Sequence, residues 1–147
     1  MRAAVLSAAI LGLLVASCGG SGGGRLSKDD YAKQADAICS KYNRKIQALG
    51  TPKTLADIGG FADKALKVTR QGNAELRGLK PPANEEQTAK EWIAQNELVA
   101  KAVGDLSDAA KKNDKPAIQA ALKRGQRANK SANGLARDLG LRVCARG

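Results

Sequence analysis

Histidine is absent from this chain of 147 residues, and its single methionine is Met1. Both absences bear on chemistry: haem in a helical scaffold needs His or Met axial ligands, and a di-iron site needs Glu-x-x-His pairs on facing helices. Ser-His-Asp and Cys-His catalysis are excluded on the same ground, leaving carboxylate pairs and lysine as candidate acid-base or nucleophilic groups. Aromatic residues are almost as scarce, with Tyr31, Tyr42, Phe61 and Trp92 the full set. β-Branched residues are few while Ala, Lys, Leu, Gln and Arg dominate, a mixture that favours helix over sheet. Long apolar runs are missing too: Ala3 to Ala16 gives fourteen residues, short of the ~20 that cross a bilayer.

That short run has another use. Met1 and Arg2 form a basic start, Ala3 to Ala16 the apolar segment, and Val15-Ala16-Ser17 a small-residue cleavage motif directly before Cys18. The layout resembles a bacterial lipoprotein signal peptide over residues 1–17. It implies cleavage before Cys18, a diacylglycerol thioether on its sulfur and an acyl chain such as palmitate on the new amino terminus. The competing reading is an ordinary secretory signal or an uncleaved anchor in which Cys18 is incidental. Gly19-Gly20-Ser21-Gly22-Gly23-Gly24 then has no side chains to pack, so residues 18–26 read as a lipidated cysteine and a flexible tether. Its eight residues after Cys18 reach ~28 Å at most, which keeps residues 27–147 close to a membrane. The expected address is extracytoplasmic, anchored by lipid to the cell membrane, or to an outer membrane where the cell has one. A phosphate-cradling loop is the other use of such glycines, but Arg25-Leu26-Ser27 lacks the Gly-Lys-Ser/Thr that follows one.

With Cys18 taken by lipid, Cys39 and Cys144 remain, in a compartment where disulfides persist. A structural bridge between them would close a 105-residue loop. Two buried thiols, an intermolecular bridge and a redox pair are the alternatives, the last lacking the usual Cys-x-x-Cys spacing.

Four stretches carry apolar residues at steps of three and four. The first, about 28–49, starts at Ser27 with an acid three residues on and turns Tyr31, Ala35, Ile38, Tyr42, Ile46 and Leu49 to one side. Gly50-Thr51-Pro52 ends it, and Thr54 with Asp57 repeats the capping pattern before Ile58, Phe61, Ala65, Thr69, Gly72, Leu76 and Leu79. Pro81-Pro82 forces an extended break, after which Asn84 is the expected cap of a third helix with Trp92, Gln95, Val99, Val103, Leu106 and Ala110 inward. Pro116 opens the fourth, whose stripe of Ile118, Ala121, Leu122, Gly125, Ala128, Ala132, Leu135 and Leu139 runs to a cap at Gly140. Short connections make this an all-α, antiparallel four-helix bundle. Its C-terminal tail would double back along helix one, tucking in Leu141 and Val143 so that Cys144 meets Cys39.

Charge is the remaining signal. Residues 18–147 carry 24 Lys and Arg against 14 Asp and Glu, and residues 111–147 alone hold ten bases and two acids. Lys123, Arg127, Lys130 and Arg137 step by four, three and seven, which aligns them on one stripe of helix four. A basic stripe on a tethered domain is attracted to anionic lipids or envelope polymers, while the bland reading is a solvated face that keeps the protein soluble. Nucleic acid is a poor partner, since this region has no aromatic residue for base stacking. Asp105 with Asp108 and Glu85 with Glu86 are the candidate carboxylate pairs. Against catalysis stand the acid-to-base pairs at i and i+4 (Asp29–Lys33, Asp63–Lys67, Glu86–Lys90, Glu97–Lys101 and Asp108–Lys112), the pattern of solvated helix faces.

Gln34-Ala35-Asp36-Ala37-Ile38-Cys39 and Ala136-Arg137-Asp138-Leu139-Gly140-Leu141, together with Cys144, resemble a group of small bacterial lipoproteins of actinobacterial type. The resemblance implies a helical, two-cysteine mature domain and brings no activity with it. The expected function is a non-enzymatic, membrane-anchored envelope interaction or structural module with no metal or cofactor, its protein partner unspecified. The alternative is a small-ligand module in which Gly72 and Gly125 leave space around Trp92, marked by a lined pocket of ~300 Å³ or more.

Overall fold

Local signals set the four helices. In the computed structural model, which describes residues 24–146, they are α1 (Lys28–Gln47), α2 (Leu55–Arg77), α3 (Glu86–Lys111) and α4 (Lys115–Asp138), with 3₁₀ turns at Ala83–Glu85 and Cys144–Arg146. Ser27 caps α1 by accepting from the Asp30 N–H, and Thr54 with Asp57 forms a reciprocal capping box on α2. Asp114 caps α4, accepting from the Ala117 N–H at 3.0 Å. At the far end of α4 Gly140 turns left-handed at φ 77°, with Gly140 N–H on Arg137 O (2.9 Å) and Leu141 N–H on Ala136 O (2.8 Å), the paired bonds of a Schellman stop. Asn113 does the same for α3 at φ 52°, a conformation its short polar side chain tolerates.

The start of α3 departs from expectation. Asn84 does not cap it; Ala83–Glu85 forms a separate 3₁₀ turn and α3 begins at Glu86 with no side-chain cap bond. Glu85 spends its carboxylate across the bundle instead, 2.5 Å from Lys28 Nζ. Packing also begins earlier than the tether assignment implied, because Leu26 packs against the core and its N–H reaches Lys80 O at 2.9 Å.

The helices pack antiparallel, so that the start of α1, the end of α2, the start of α3 and the end of α4 share one end. α3 is central, packing against both α2 and α4, while α1 packs on α2 and on the C-terminal turn. That turn lies between α1 and α4: Leu141 is 2 % exposed and shares a core with Tyr31, Ala35, Leu76, Trp92 and Leu139. Cys39 and Cys144 are bonded, S–S 2.07 Å, with their Cα atoms 5.3 Å apart. A smaller cluster of Ala109, Ala110 and Ile118 closes the opposite end.

Alanine supplies most of the other fully buried positions, including Ala62, Ala100, Ala121, Ala128, Ala132 and Ala136. Small contacts let the backbones approach, and at Gly72 the fit is tight: a Cβ there would lie 3.1 Å from the Tyr42 ring. Gly125 abuts the Ala102 methyl, and Trp92 is 1 % exposed. The space expected around Trp92 at these two glycines is therefore filled by the neighbouring helices. Leu122, placed inward by its spacing, is 48 % exposed. The inner line of α4 runs 118, 121, 125, 128, 132, 136, and position 122 falls just outside it.

Candidate functional site

The four bases of α4 stand on one open face. Lys123, Arg127, Lys130 and Arg137 are all exposed, within an arc of about 80° and over about 21 Å of helix. None of the four forms an ion pair among the described residues, whereas their neighbour Arg124 engages Asp105 at 3.0 Å. Two nearby acids are already committed: Asp105 also takes Lys101 (3.0 Å), and Asp114 is the α4 cap. Asp138, next to Arg137, is the one acid at the end of the stripe, which otherwise presents bases to solvent. Arg137 lies at the end shared with Leu26 and Lys123 lies far from it, so a surface meets all four only when the bundle lies on its side.

Several carboxylates elsewhere are held by bases. Asp63 is kept below the usual range by hydrogen bonds from Lys111, then from the Ser107 hydroxyl at 2.6 Å. Lys101 is the first cause of the same lowering at Asp105, and Lys90 at Glu86. Glu75 is lowered by Lys41 and then by the Tyr42 hydroxyl, which donates to it at 2.6 Å. Of the five i, i+4 pairs foreseen, only Glu86–Lys90 (2.8 Å) forms an ion pair. Glu97 turns to Arg77 and Asp63 to Lys111, because a facing helix offers partners as near as the next turn does, while Lys101 pairs forward along its own helix with Asp105. Glu85 and Glu86 separate, to Lys28 and to Arg25 with Lys90, whereas Asp105 and Asp108 line one pocket together with Asp63. No group of three or more metal-ligating side chains occurs among the described residues.

Two features had no sequence signal of their own. Asp36 accepts three backbone N–H groups of the tail, from Arg142 (2.8 Å), Val143 (2.8 Å) and Cys144 (3.0 Å). Its spacing marked only a helix residue, since the partners lie more than 100 positions away. The second is an open groove of about 670 Å³ at the shared helix end, floored by Tyr31, Leu76, Leu79, Ala89 and Ile93. Burial, then the Glu85 charge, pushes the Tyr31 hydroxyl up to about 12.

Cys18 lies outside the described residues. Among those described, no helix is long and apolar enough to cross a membrane. Compared with models of protein families, with curated proteins and with solved structures, the chain matches none.

Proposed function

We propose that this chain is a membrane-anchored lipoprotein, held by lipid on Cys18, that acts as a non-enzymatic envelope interaction module through the basic face of α4. The observation that carries this reading is the row of Lys123, Arg127, Lys130 and Arg137, none of them in an ion pair among the described residues, on a helix of a domain whose first helix begins ten residues after Cys18. Each base near an anionic surface contributes about 1 kcal/mol, and the attraction is screened over ~8 Å at physiological ionic strength. Co-sedimentation of the chain carrying Cys18→Ser with phosphatidylglycerol vesicles tests it. Binding at low salt that falls with added salt and disappears when all four bases become Glu is the expected result. Equal sedimentation of wild type and quadruple variant would reduce the stripe to a solubilising face.

A second reading, small-ligand binding, is favoured by one observation: the groove of about 670 Å³ at the end where the tether enters. Its size is that of ligand sites in general, and it lies away from the Gly72 and Gly125 positions that the sequence suggested.

A further inference from the structure

The groove lies where α2 ends and α3 begins. Leu76 and Ala89, 6 % and 4 % exposed, form its base together with Tyr31, and half-buried Leu79 and Ile93 form its walls. Its floor is thus the outer surface of the main core, apolar over its length. The rim is the opposite in character. Arg25, Arg77, Lys80 and Lys90 border it against one lining acid, Glu86, which Arg25 and Lys90 share. Arg77 reaches outward to Glu97, so Arg25, Arg77 and Lys90 meet two carboxylates and the rim stays net positive.

An apolar trough with a cationic edge is complementary to a molecule with a hydrocarbon chain and an anionic head. Arg25 belongs to the rim, and the seven residues from Cys18 to Arg25 span at most ~25 Å. A chain anchored at Cys18 would therefore hold this groove at the surface of its own membrane. Tethering converts weak capture of a membrane component into an intramolecular event at high effective concentration.

We infer that the groove binds one anionic membrane lipid, its acyl chain along Leu76, Leu79, Ala89 and Ile93 and its head group against Arg77 and Lys90. This inference deepens the ligand-binding reading and does not depend on the α4 stripe. Lipid enters from the open side of the groove, with no change in the bundle.

The experiment uses the monomeric chain carrying Cys18→Ser, titrated with lysophosphatidylglycerol, with lysophosphatidylcholine of the same chain length and with glycerol phosphate, each below any micelle concentration. Saturable one-to-one binding of lysophosphatidylglycerol is expected, with the zwitterionic lipid and the bare head group each weaker by about tenfold or more. Arg77→Ala/Lys90→Ala should weaken lysophosphatidylglycerol by about tenfold or more while the helical signal is unchanged, since both side chains are exposed. Ile93→Asp, which sets a carboxylate in the wall, should abolish binding. Replacing Lys123, Arg127, Lys130 and Arg137 by Glu should leave binding unaltered, which separates failure of the groove from failure of the stripe. No saturable binding, equal affinity for the zwitterionic lipid, or undiminished affinity in a folded Arg77→Ala/Lys90→Ala variant would each overturn the inference. Sedimentation of the lipid-free chain as a dimer that binds no lipid would overturn it as well, giving the groove to a second copy.

Discussion

Replacing both Cys39 and Cys144 with alanine removes the bond that closes a 105-residue loop. In the chain-entropy account the loss falls on the unfolded state, which regains about 4.7 kcal/mol of freedom for a loop of this size. The described domain spans residues 24–146, and an unfolding entropy of about 2.1 cal/mol/K per residue gives about 0.26 kcal/mol/K in all, so Tm should fall by about 18 °C. The native tail should barely move. Asp36 still accepts the N–H groups of Arg142, Val143 and Cys144, the Leu141 side chain remains buried, and its N–H still closes the Schellman stop on Ala136. Melting followed by circular dichroism gives the first number, and amide exchange at residues 142–144 checks the second. Trp92, the one tryptophan, lies in the same core as Cys144 and reports tail detachment through its emission. A Tm loss below about 6 °C, or lost protection at 142–144 with a red-shifted Trp92 while the helices persist, would refute the reasoning. It would mean that the bridge acts by holding the native tail. Asp36→Ala completes the test. If the bridge acts on the unfolded chain, its cost should be the same with and without the disulfide to within ~0.5 kcal/mol.

Gly72→Val should destabilise by about 1 to 3 kcal/mol in chemical unfolding, because a side chain there meets the Tyr42 ring and dislodges the Tyr42–Glu75 hydrogen bond; an unchanged midpoint would show that α1 and α2 can part freely. Stability should be flat from about pH 5 to 9, since no histidine titrates there. Below about pH 4 it should fall, because Asp57, Asp63, Glu75, Glu86 and Asp105 have folded-state values depressed by their donors, so what their charges contribute is lost on protonation. Above pH 10 it should fall again as Tyr31, raised to about 12 in the folded state, ionises more readily in the unfolded chain. Melting temperatures across this range check both limbs, and a step between pH 6 and 8 would contradict them. In a bacterial host, radiolabelled palmitate should enter the wild-type chain and not the Cys18→Ser variant; a wild type that stays with membranes without label would exclude lipidation at Cys18.

The four helices were legible in the sequence because their signals are local. Ser27, Thr54 with Asp57, and Gly140 each satisfy orphan backbone groups within a few residues, and steps of three and four carry a face from Tyr31 to Tyr42 or from Ile118 to Ala132 without reference to the rest of the chain. The Cys39–Cys144 bridge was legible as well, since with Cys18 set aside two thiols allow one intramolecular pairing. The tertiary structure alone decided the partners of charged groups. A carboxylate at a helix surface is as close to a base on the facing helix as to one a turn away, so Asp63 went to Lys111 and Glu97 to Arg77 rather than to the lysines four positions on. It also decided that Asp36 would receive the tail, that Glu85 would leave the head of α3 for Lys28, and that Gly72 would admit a ring instead of leaving a cavity. Each of these depends on which helix faces which across tens of residues, and the periodicity of one helix contains no record of its neighbour's register.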